Sequence, residues 1–520
     1  MNHIDVKIVK NDILTTAFRA AIITGIVAHG YMLFNKISYH DDMCSLFGLG
    51  GTYGLGRWAL GIIGDILELT VGIYSAPLFI GSISIIFIGM SAALVCDILG
   101  VRSKLGAAYI GAVMAAFPAV ASIFAFMFTA GIYFLSLFLS VVAVYILSKQ
   151  HTVKRCLAAA CLIAICTGIY QAFLASSVSL MLMVLIIHIL DHPDRKFMVH
   201  LKEALTYGAV ICGGMGLYFV ANKICLAWKD TELSSYQGIN GSYDILQLPS
   251  KIEDVYHSFL GGGYEGINAQ HFLSHSVKGV IVLTMIGFLL IVYRSQADKL
   301  SRLWVILLLS VFPIAVYLVK LFSTEENFDV HTLMVYSLVY VYILPVCLLE
   351  RVDHNKAVEG INNHIIKGGK CVLSTILMLL MLIYMYYDNI AYLKMNFIHE
   401  QTTSYFNTLV TQIKSTQGYR DEYPVVLLGY REIEDLNFFS TDEFSRIMFT
   451  GYEYEQKDLV NDYTNISYLG YYLGFEPDIM YADAADYWAL EEVQNMSCYP
   501  DSGSIKVIDE AVIVKFAESE

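Results

Sequence analysis

Charged residues are scarce in this chain of 520 residues. They make up 15% of the sequence, whereas 56% of the residues are hydrophobic. An ordinary soluble domain carries about 25% charged residues, so this composition excludes one. The apolar residues also form runs that are long enough to cross a bilayer as helices. The sequence therefore predicts an integral membrane protein.

Motifs that bind nucleotides or nucleic acids are missing. No basic patch interleaved with aromatic residues occurs, which argues against nucleic acid as a partner. The stretch Gly213-Gly214-x-Gly216 lies inside an apolar run, where close helix packing is its expected use. Because no phosphate-cradling loop follows on the cytoplasmic side, a reaction driven there by ATP or a nucleotide sugar is disfavoured.

Cysteine spacings typical of metal or redox sites are also missing. None of the ten cysteines forms a Cys-x-x-Cys or metal-type pattern, and eight lie in or beside apolar runs, where they pack as small hydrophobes. A disulfide between the other two, Cys44 and Cys498, has no support in the sequence. No cofactor is indicated. The first apolar run lacks a small-residue cleavage site, so we expect a retained anchor.

Long apolar runs dominate what is present. Windows of about 20 apolar residues predict eleven membrane spans, centred on residues 14–34, 73–99, 104–119, 123–147, 157–174, 176–190, 204–227, 278–294, 303–322, 331–349 and 371–388. The predicted fold class is a polytopic α-helical membrane protein of about eleven transmembrane helices, followed by a small C-terminal extracytoplasmic α/β domain.

The distribution of Lys and Arg predicts the orientation in the plasma membrane. With a cytoplasmic N-terminus, 18 of these residues fall in cytoplasmic segments and 7 in external loops. Cytoplasmic loops are the ones that carry such an excess. An odd number of crossings then places the acidic tail outside the cytoplasm. The tail from Ile390 onward holds 23 acidic and 8 basic residues, which accounts for the net charge of -14.

The tail has the pattern of a folded domain. A helix is expected around Gln401–Ile413, and Val425–Gly429 reads as a short buried strand. Ile505–Ile508 and Ala511–Phe516 predict a hairpin across Asp509-Glu510. We therefore divide the chain into a transmembrane catalytic domain at 1–389 and an α/β domain at 390–520.

An acidic pair, Asp41-Asp42, follows the first apolar run. Carboxylates at a membrane exit are costly, and one of the two is predicted to act as the general base while its neighbour orients the site or holds a divalent cation. Capping of the next segment is the alternative use. His40 and Glu68 in the same external loop are predicted to contact substrate.

Arg57 is the only Arg in any external loop before the tail. Its planar guanidinium suits bidentate binding of a donor phosphate, although anchoring at the interface beside Trp58 is the alternative. Trp58 begins a predicted surface helix and is a further substrate contact. Lys320 is a candidate second phosphate contact, with snorkelling as its alternative, and Glu325 a candidate substrate contact nearby.

Tyr170-Gln171 ends the fifth run at the external face, where the pair could bind a sugar or bond a neighbouring helix. The long loop 228–276 holds the glycine run 261–263, which would permit a mobile lid. No internal repeat is evident, which counts against an inverted-repeat transporter.

Several short motifs together resemble the GT-C class of membrane glycosyltransferases, in particular the serotype-converting type II (Gtr) O-antigen glucosyltransferases of bacteria and their phages. The matching residues are Asp41-Asp42, Gly56-Arg57-Trp58, Phe117-Pro118, Tyr170-Gln171, and Tyr499-Pro500-x-x-Gly503-Ser504-Ile505 with a Val-rich strand ending at Lys515. The length and acidity of the tail match no catalytic role of that family.

The resemblance implies transfer of a hexose, glucose in the named family, from a polyprenyl-phosphate carrier to a cell-surface polysaccharide or other glycan on the external face. Asp41 or Asp42 would be the base and Arg57 would hold the donor phosphate. The alternatives are a lipid-linked glycan flippase or transporter, an O-antigen-type polymerase, and a surface receptor. Transport predicts charges facing each other at mid-membrane, whereas the ionisable residues noted above cluster at one face.

Overall fold

The structure is a computed structural model. It describes residues 3–37, 41–238, 241, 245–261, 271–294, 297–321, 330–352, 363–429, 467–480 and 484–518. The chain divides into two compact units. The first holds Met1–Lys36 and Phe47–Ala391, and the second holds Ile37–Leu46 and most of the chain from Tyr392 onward.

The first unit is helical throughout its described part. Its helices are α1 (His3–Phe34), α3 (Trp58–Thr70), α4 (Pro77–Leu99), α5 (Lys104–Ala116), α6 (Pro118–Phe124), α7 (Met127–Lys149), α8 (Val153–Ile169), α9 (Leu174–Asp191), α10 (Phe197–Trp228), α11 (Leu248–Gly261), α12 (His271–Arg294), α13 (Lys299–Val316), α14 (Val339–Val352) and the beginning of α15 (Asn363–Ser415). The short helix α2 (Asp41–Cys44) belongs to the second unit.

Eight helical segments within the described ranges are long and apolar enough to cross a membrane. They are Asn11–Phe34, Pro77–Leu99, Lys104–Phe124, Met127–Lys149, Gln171–Asp191, Phe197–Trp228, Lys299–Val316 and Lys367–Ser415. The mostly helical, polytopic fold agrees with the sequence-based prediction.

The remaining predicted spans differ from this set in identifiable ways. The run at 157–174 corresponds to α8, which ends after 17 residues, and the run at 278–294 lies in α12, whose apolar stretch is the shorter Gly279–Ile291. The run at 331–349 begins as two 3₁₀ helices, Thr332–Met334 and Tyr336–Leu338, before α14 starts.

A proline sets the break in the third span. Phe117 has extended backbone angles because the residue before a proline is excluded from the helical region, and α6 restarts with Pro118 at its first position. The two helices together form the buried segment Lys104–Phe124. Phe117 and Phe124 are fully buried in the core of this unit.

Small residues allow the first helices to pack closely. Gly111 of α5 lies directly against the backbone of Ala17, and a Cβ at Gly25 would lie 2.8 Å from Ile85. Glycine and alanine at helix contacts are typical of membrane bundles, where close backbone approach replaces the hydrophobic driving force. Helices α1, α4 and α5 therefore form one closely packed part of the first unit.

The predicted domain boundary at residue 389/390 lies inside α15, a helix of 53 residues. The division between the two compact units falls two residues later, between Ala391 and Tyr392. Helical propensity therefore continues through a position at which the composition changes from apolar to mixed polar.

The second unit contains a four-stranded sheet in the order β2-β1-β4-β3. Its strands are β1 (Val425–Leu428), β2 (Ile479–Met480), β3 (Ile505–Ile508) and β4 (Ala511–Lys515). β1 runs parallel to β2 and β4, whereas β3 and β4 form the predicted antiparallel hairpin.

The core of the second unit lies on this sheet. Its buried residues are Val426, Leu428, Val493, Met496, Ile508, Ala511 and Ile513. The short helices α16 (Ala484–Trp488) and α17 (Glu491–Gln494) precede the hairpin. The two turn residues, Asp509 and Glu510, both have positive φ, as a type I′ hairpin turn requires.

Candidate active site

The motif Gly56-Arg57-Trp58 forms a turn between two helices. A 3₁₀ helix at Tyr53–Leu55 ends at Gly56, whose φ of 69° lies in the left-handed region that glycine tolerates best. Arg57 then occupies the N-cap position of α3. A Cβ at Gly56 would lie 2.7 Å from the Tyr218 hydroxyl, so glycine is required by space as well as by conformation.

Two hydrogen bonds hold this turn against the helical core. The Gln171 amide donates to the Leu55 carbonyl at 2.8 Å, and the Tyr218 hydroxyl donates to the Gly56 carbonyl at 3.0 Å. Gln171 was predicted to contact substrate or a neighbouring helix. In the structure its amide supports the loop that carries Arg57, which makes it a positioning residue.

The Arg57 guanidinium lies over two stacked tyrosine rings. Its central carbon is 5.4 Å from the Tyr170 ring centroid and 6.0 Å from that of Tyr133. The two rings are 4.1 Å apart and nearly parallel, with an angle of 7° between their planes. A cation over ring faces is attracted by about 0.5–2 kcal/mol, depending on solvation. The aromatic pair therefore orients Arg57 without neutralising it.

No carboxylate in the described part of the chain pairs with Arg57. Its Nε is buried and lacks a hydrogen-bond partner among those residues. A buried donor that makes no hydrogen bond costs about 1–3 kcal/mol, and more if it is charged. An acceptor-rich anion at this position would remove that cost, and the fork of a guanidinium suits a phosphate.

Two neighbouring side chains also have unused donors. The Trp58 Nε1 and the Tyr170 hydroxyl are both buried without an acceptor among the described residues. Trp58 packs against α8, because a Cβ at Gly168 would lie 2.5 Å from the indole ring. Trp58 begins the predicted surface helix, and in the structure its indole contacts the protein. Three unused donors thus occur within Arg57, Trp58 and Tyr170.

Lys320 lies in a second element beside Tyr170-Gln171. It is part of a 3₁₀ helix at Leu318–Leu321, which is adjacent to the 3₁₀ helix Gln171–Phe173. Its ammonium donates to the Ser258 hydroxyl of α11 at 2.8 Å. Since that partner is neutral, the positive charge is not compensated by the described residues. The fold therefore brings the elements of two predicted phosphate contacts to one neighbourhood.

Asp65 and Glu68 of α3 differ in their surroundings. Asp65 accepts a hydrogen bond from the Tyr53 hydroxyl at 2.6 Å and pairs with Lys229 at 2.8 Å. The Lys229 ammonium, and next the Tyr53 hydroxyl, hold the pKa of Asp65 below its ordinary value. Glu68 is exposed and lies about 16 Å along the helix from Arg57. The structure therefore does not bring this predicted substrate contact to the Arg57 turn.

The acidic pair occupies α2 in the second unit. Asp42 is completely buried, whereas Asp41 is half-buried and reachable from solvent. The other predicted substrate contacts His40 and Glu325, and most of the glycine-rich loop segment, lie outside the described residues. The roles assigned to these residues stay predictions.

Sequence reasoning overlooked two titratable residues inside the first unit. His29 of α1 and Asp388 of α15 are fully buried, with 4.0 Å between the His29 Nε2 and an Asp388 oxygen. His29 also contacts the Ala115 carbonyl at 2.7 Å. Ionisable residues therefore do occur within the spans as well as at one face. Of the two, Asp388 had a signal in the sequence, because it is a single charge at the end of an apolar run.

Tyr133 was also overlooked, since an aromatic residue in an apolar run reads as core. Within the described ranges, no group of three or more His, Cys, Asp or Glu residues could hold a metal ion.

Comparison with known proteins adds one match. The sequence model of the family described as Glucosyl transferase GtrII matches residues 30–342, more than half of the chain. The matched region contains the acidic pair, the Arg57 turn, the two stacked tyrosines and Lys320. No curated protein and no solved structure matches the chain.

Proposed function

The chain belongs to the GtrII glucosyl transferase family, and from this we propose that it moves glucose from a polyprenyl-phosphate carrier to a cell-surface glycan. Membership makes it a glycosyltransferase, and the eight candidate spans among the described residues are those of a multi-pass membrane protein. The lipid donor and the external acceptor are the proposal. A donor that is soluble in the membrane agrees with the lack of a nucleotide-binding motif.

The observation that carries the proposal is the state of Arg57. Its guanidinium is oriented by two tyrosine rings, has no acidic partner in the described structure, and keeps a buried unbonded Nε. Arg57 is half-buried, and a buried donor such as its Nε is normally hydrogen-bonded in a purely structural arginine. A donor phosphate supplies both the negative charge and the acceptor oxygens that the turn lacks.

The proposed chemistry is a single displacement. A hydroxyl oxygen of the acceptor glycan attacks C1 of the glucosyl group, the bond between C1 and the phosphate oxygen breaks, and a carboxylate takes the hydroxyl proton. The released polyprenyl phosphate keeps the electron pair, and Arg57 and Lys320 stabilise its growing negative charge. Fixed cations act most strongly where charge develops in the transition state.

Between the two aspartates, burial favours Asp41 as the base. A base must reach the proton that it abstracts, and Asp42 has no exposed surface. We assign Asp42 a positioning role within the second unit. This assignment does not depend on the phosphate-binding role of Arg57, and each is tested by separate variants.

We further propose an N-terminus in the cytoplasm and an extracytoplasmic C-terminal domain. The excess of Lys and Arg in alternate loops supports this orientation. It places the Arg57 turn on the external side, where a cell-surface acceptor would be available. The C-terminal domain would then face the same compartment as the acceptor.

A lipid-linked glycan flippase is the second candidate. The buried His29 and Asp388 are the observation that favours it, because protons can be carried by such residues in transporters. Asp388→Asn in reconstituted vesicles separates the two functions. If the chain is a transferase, the Asp388→Asn variant keeps glucosyl transfer to an acceptor added on the donor's own side of the bilayer. If the chain is a flippase, it moves labelled lipid across the bilayer and forms no new glycosidic bond.

The principal test replaces Arg57. We expect Arg57→Ala to lower transfer from polyprenyl-phosphate-linked glucose by about 10- to 100-fold, since a hydrogen bond to a charged group contributes about 1.5–3 kcal/mol. Arg57→Lys keeps the charge but loses the fork, so it should recover part of the rate. The assay is transfer of radiolabelled glucose by purified protein in vesicles.

The matched control is Lys223→Gln, which removes one exposed positive charge from α10 of the same unit. We expect its rate to equal that of the wild type. Unfolding temperatures in detergent identify a variant that fails to fold. Wild-type transfer by a folded Arg57→Ala protein would overturn the phosphate-binding role.

A further inference from the structure

The backbone around Lys320 is held in place by the end of α13. The 3₁₀ helix Leu318–Leu321 follows α13 almost directly, and the Lys320 main-chain amide donates to the Tyr317 carbonyl at 2.9 Å. The Ser337 hydroxyl donates to the Val316 carbonyl at 2.7 Å. This bond satisfies one of the acceptors that the last turn of a helix leaves open. The position of the Lys320 backbone is therefore set by neighbouring elements of the core.

The helix α11 packs against this segment from another side. It contacts both α13 and the 3₁₀ helix that carries Lys320. Val255 and Phe259 are buried, with exposed fractions of 0% and 1%. The Tyr256 hydroxyl donates to the Ser310 carbonyl of α13. These contacts fix the rotation of α11 about its axis, and that rotation decides which of its side chains reaches Lys320.

Ser258 is the side chain of α11 that bonds the lysine. The Lys320 ammonium donates to the Ser258 hydroxyl at 2.8 Å, and the contact is partly buried. A snorkelling lysine would instead extend its ammonium to water. Because the hydroxyl is neutral, it fixes the position of the ammonium and leaves its charge. An ammonium has three N–H donors, and this bond uses one of them.

The ammonium and the Arg57 guanidinium are oriented in the same manner. The 3₁₀ helix that carries Lys320 contacts the 3₁₀ helix Gln171–Phe173, and the residue before that second helix, Tyr170, lies under Arg57. Both cations are thus held by neutral groups, a tyrosine ring in one case and a serine hydroxyl in the other. A cation that is already oriented can stabilise charge on a leaving group without the cost of ordering a flexible side chain during the reaction.

From these features we propose that Ser258 is a positioning residue for glucosyl transfer, because its hydroxyl holds the Lys320 ammonium in place for the donor phosphate. This inference rests on the proposed function, in which Lys320 contacts that phosphate. Ser258 acts only through Lys320, and α11 serves as a fixed support for the site.

The test is a double-mutant cycle on the purified full chain in vesicles, with kcat/KM for polyprenyl-phosphate-linked glucose as the readout. We expect Ser258→Ala to lower kcat/KM about fivefold, the factor that corresponds to a net hydrogen bond of about 1 kcal/mol. In a Lys320→Met background the same substitution should have no effect, since the group that Ser258 positions is gone.

A conservative pair isolates the hydroxyl. Ser258→Thr keeps it and should recover most of the wild-type kcat/KM, whereas Ser258→Val should lower kcat/KM as Ser258→Ala does. Both side chains are branched at Cβ, so their effects on the helix are alike. Unfolding temperatures in detergent identify a variant that fails to fold.

Ser250→Ala is the matched control. Ser250 is exposed in the first turn of α11, and its hydroxyl donates to the Gln247 carbonyl at 2.8 Å. The variant therefore loses a serine hydroxyl from the same helix without changing the contact to Lys320. We expect it to keep the wild-type kcat/KM.

Three results would overturn the positioning role. The first is an equal loss of kcat/KM on Ser258→Ala in the wild-type and Lys320→Met backgrounds, or no loss in either. The second is an equal kcat/KM of Ser258→Thr and Ser258→Val. The third is a wild-type kcat/KM of Lys320→Met itself, which would remove the phosphate role of Lys320 as well. The Arg57→Ala test stays independent of all three.

Discussion

Gly56 offers a sharp test of how the Arg57 turn is built. An alanine at this position must adopt a φ of 69° and place its Cβ 2.7 Å from the Tyr218 hydroxyl and 3.2 Å from the Gln171 amide. The left-handed conformation costs about 1–2 kcal/mol for a residue with a side chain. Displacing the Tyr218 hydroxyl loses a hydrogen bond of about 1 kcal/mol.

Gly56→Ala should therefore lower the free energy of unfolding by about 2–3 kcal/mol. It should also shift Arg57, and a misplacement of about 1 Å in a positioning group can cost about 100-fold in rate. We expect kcat/KM for the lipid-linked donor to fall by about 10- to 100-fold. The measurements are donor titrations of glucosyl transfer and thermal unfolding in detergent.

Gly72→Ala is the matched control. Gly72 has a φ of 78°, and its added Cβ would lie 2.7 Å from Tyr74. Tyr74 is 63% exposed and can move aside, and this turn follows the other end of α3. The control should lose about 1–2 kcal/mol of stability through the same backbone strain but keep its donor kinetics. An equal loss of kcat/KM in both variants, or none in Gly56→Ala, would refute the reasoning.

Three further predictions follow from burial and charge. Asp41→Asn should abolish glucosyl transfer and leave the unfolding temperature unchanged. Asp42→Asn should mainly lower the unfolding temperature, because Asp42 is fully buried. The reverse pattern would contradict the assignment of Asp41 as the base. The pKa of Asp65 is lowered from 3.8 in the folded protein, so the stabilising contribution of this carboxylate is complete above pH 3.8 and is lost as pH falls through the lower folded pKa. Asp65→Asn should therefore flatten the decrease in unfolding temperature on the acid side. The control Glu68→Gln should leave that decrease unchanged. Lys515→Met should destabilise the protein by about 2–4 kcal/mol, because the buried ammonium donates to two main-chain carbonyls that would lose their hydrogen-bond donor. An unchanged unfolding curve would contradict this and show that water replaces the ammonium.

Local patterns in the sequence predicted much of the fold. The apolar runs correspond to helices, Pro118 interrupts the third run, and the Val-rich segments of the tail form a sheet. These features depend on the length of a run, on proline sterics and on alternation of side chains, all of which are set by neighbours in the chain. The extent of α15 was not predicted, because a helix can continue where composition changes.

The candidate site was predicted only in part. Arg57 was singled out because no other arginine occurs before the tail in the loops predicted to be external, and Tyr170-Gln171 because a polar amide ends an apolar run. Tyr133 carried no signal of its own. Neither did the approach of His29 to Asp388, since the two side chains come from α1 and α15.

The sequence by itself determined that this is a helical membrane protein with an acidic pair after its first span and, before the tail, one arginine in the loops predicted to be external. Only the tertiary structure decided what surrounds that arginine. The rings of Tyr133 and Tyr170 reach it from other helices, and the donors left without partners emerge only once those helices have packed. The reason is physical: helix formation follows from local backbone and side-chain preferences, whereas the electrostatic state of Arg57 depends on contacts between residues far apart in the chain.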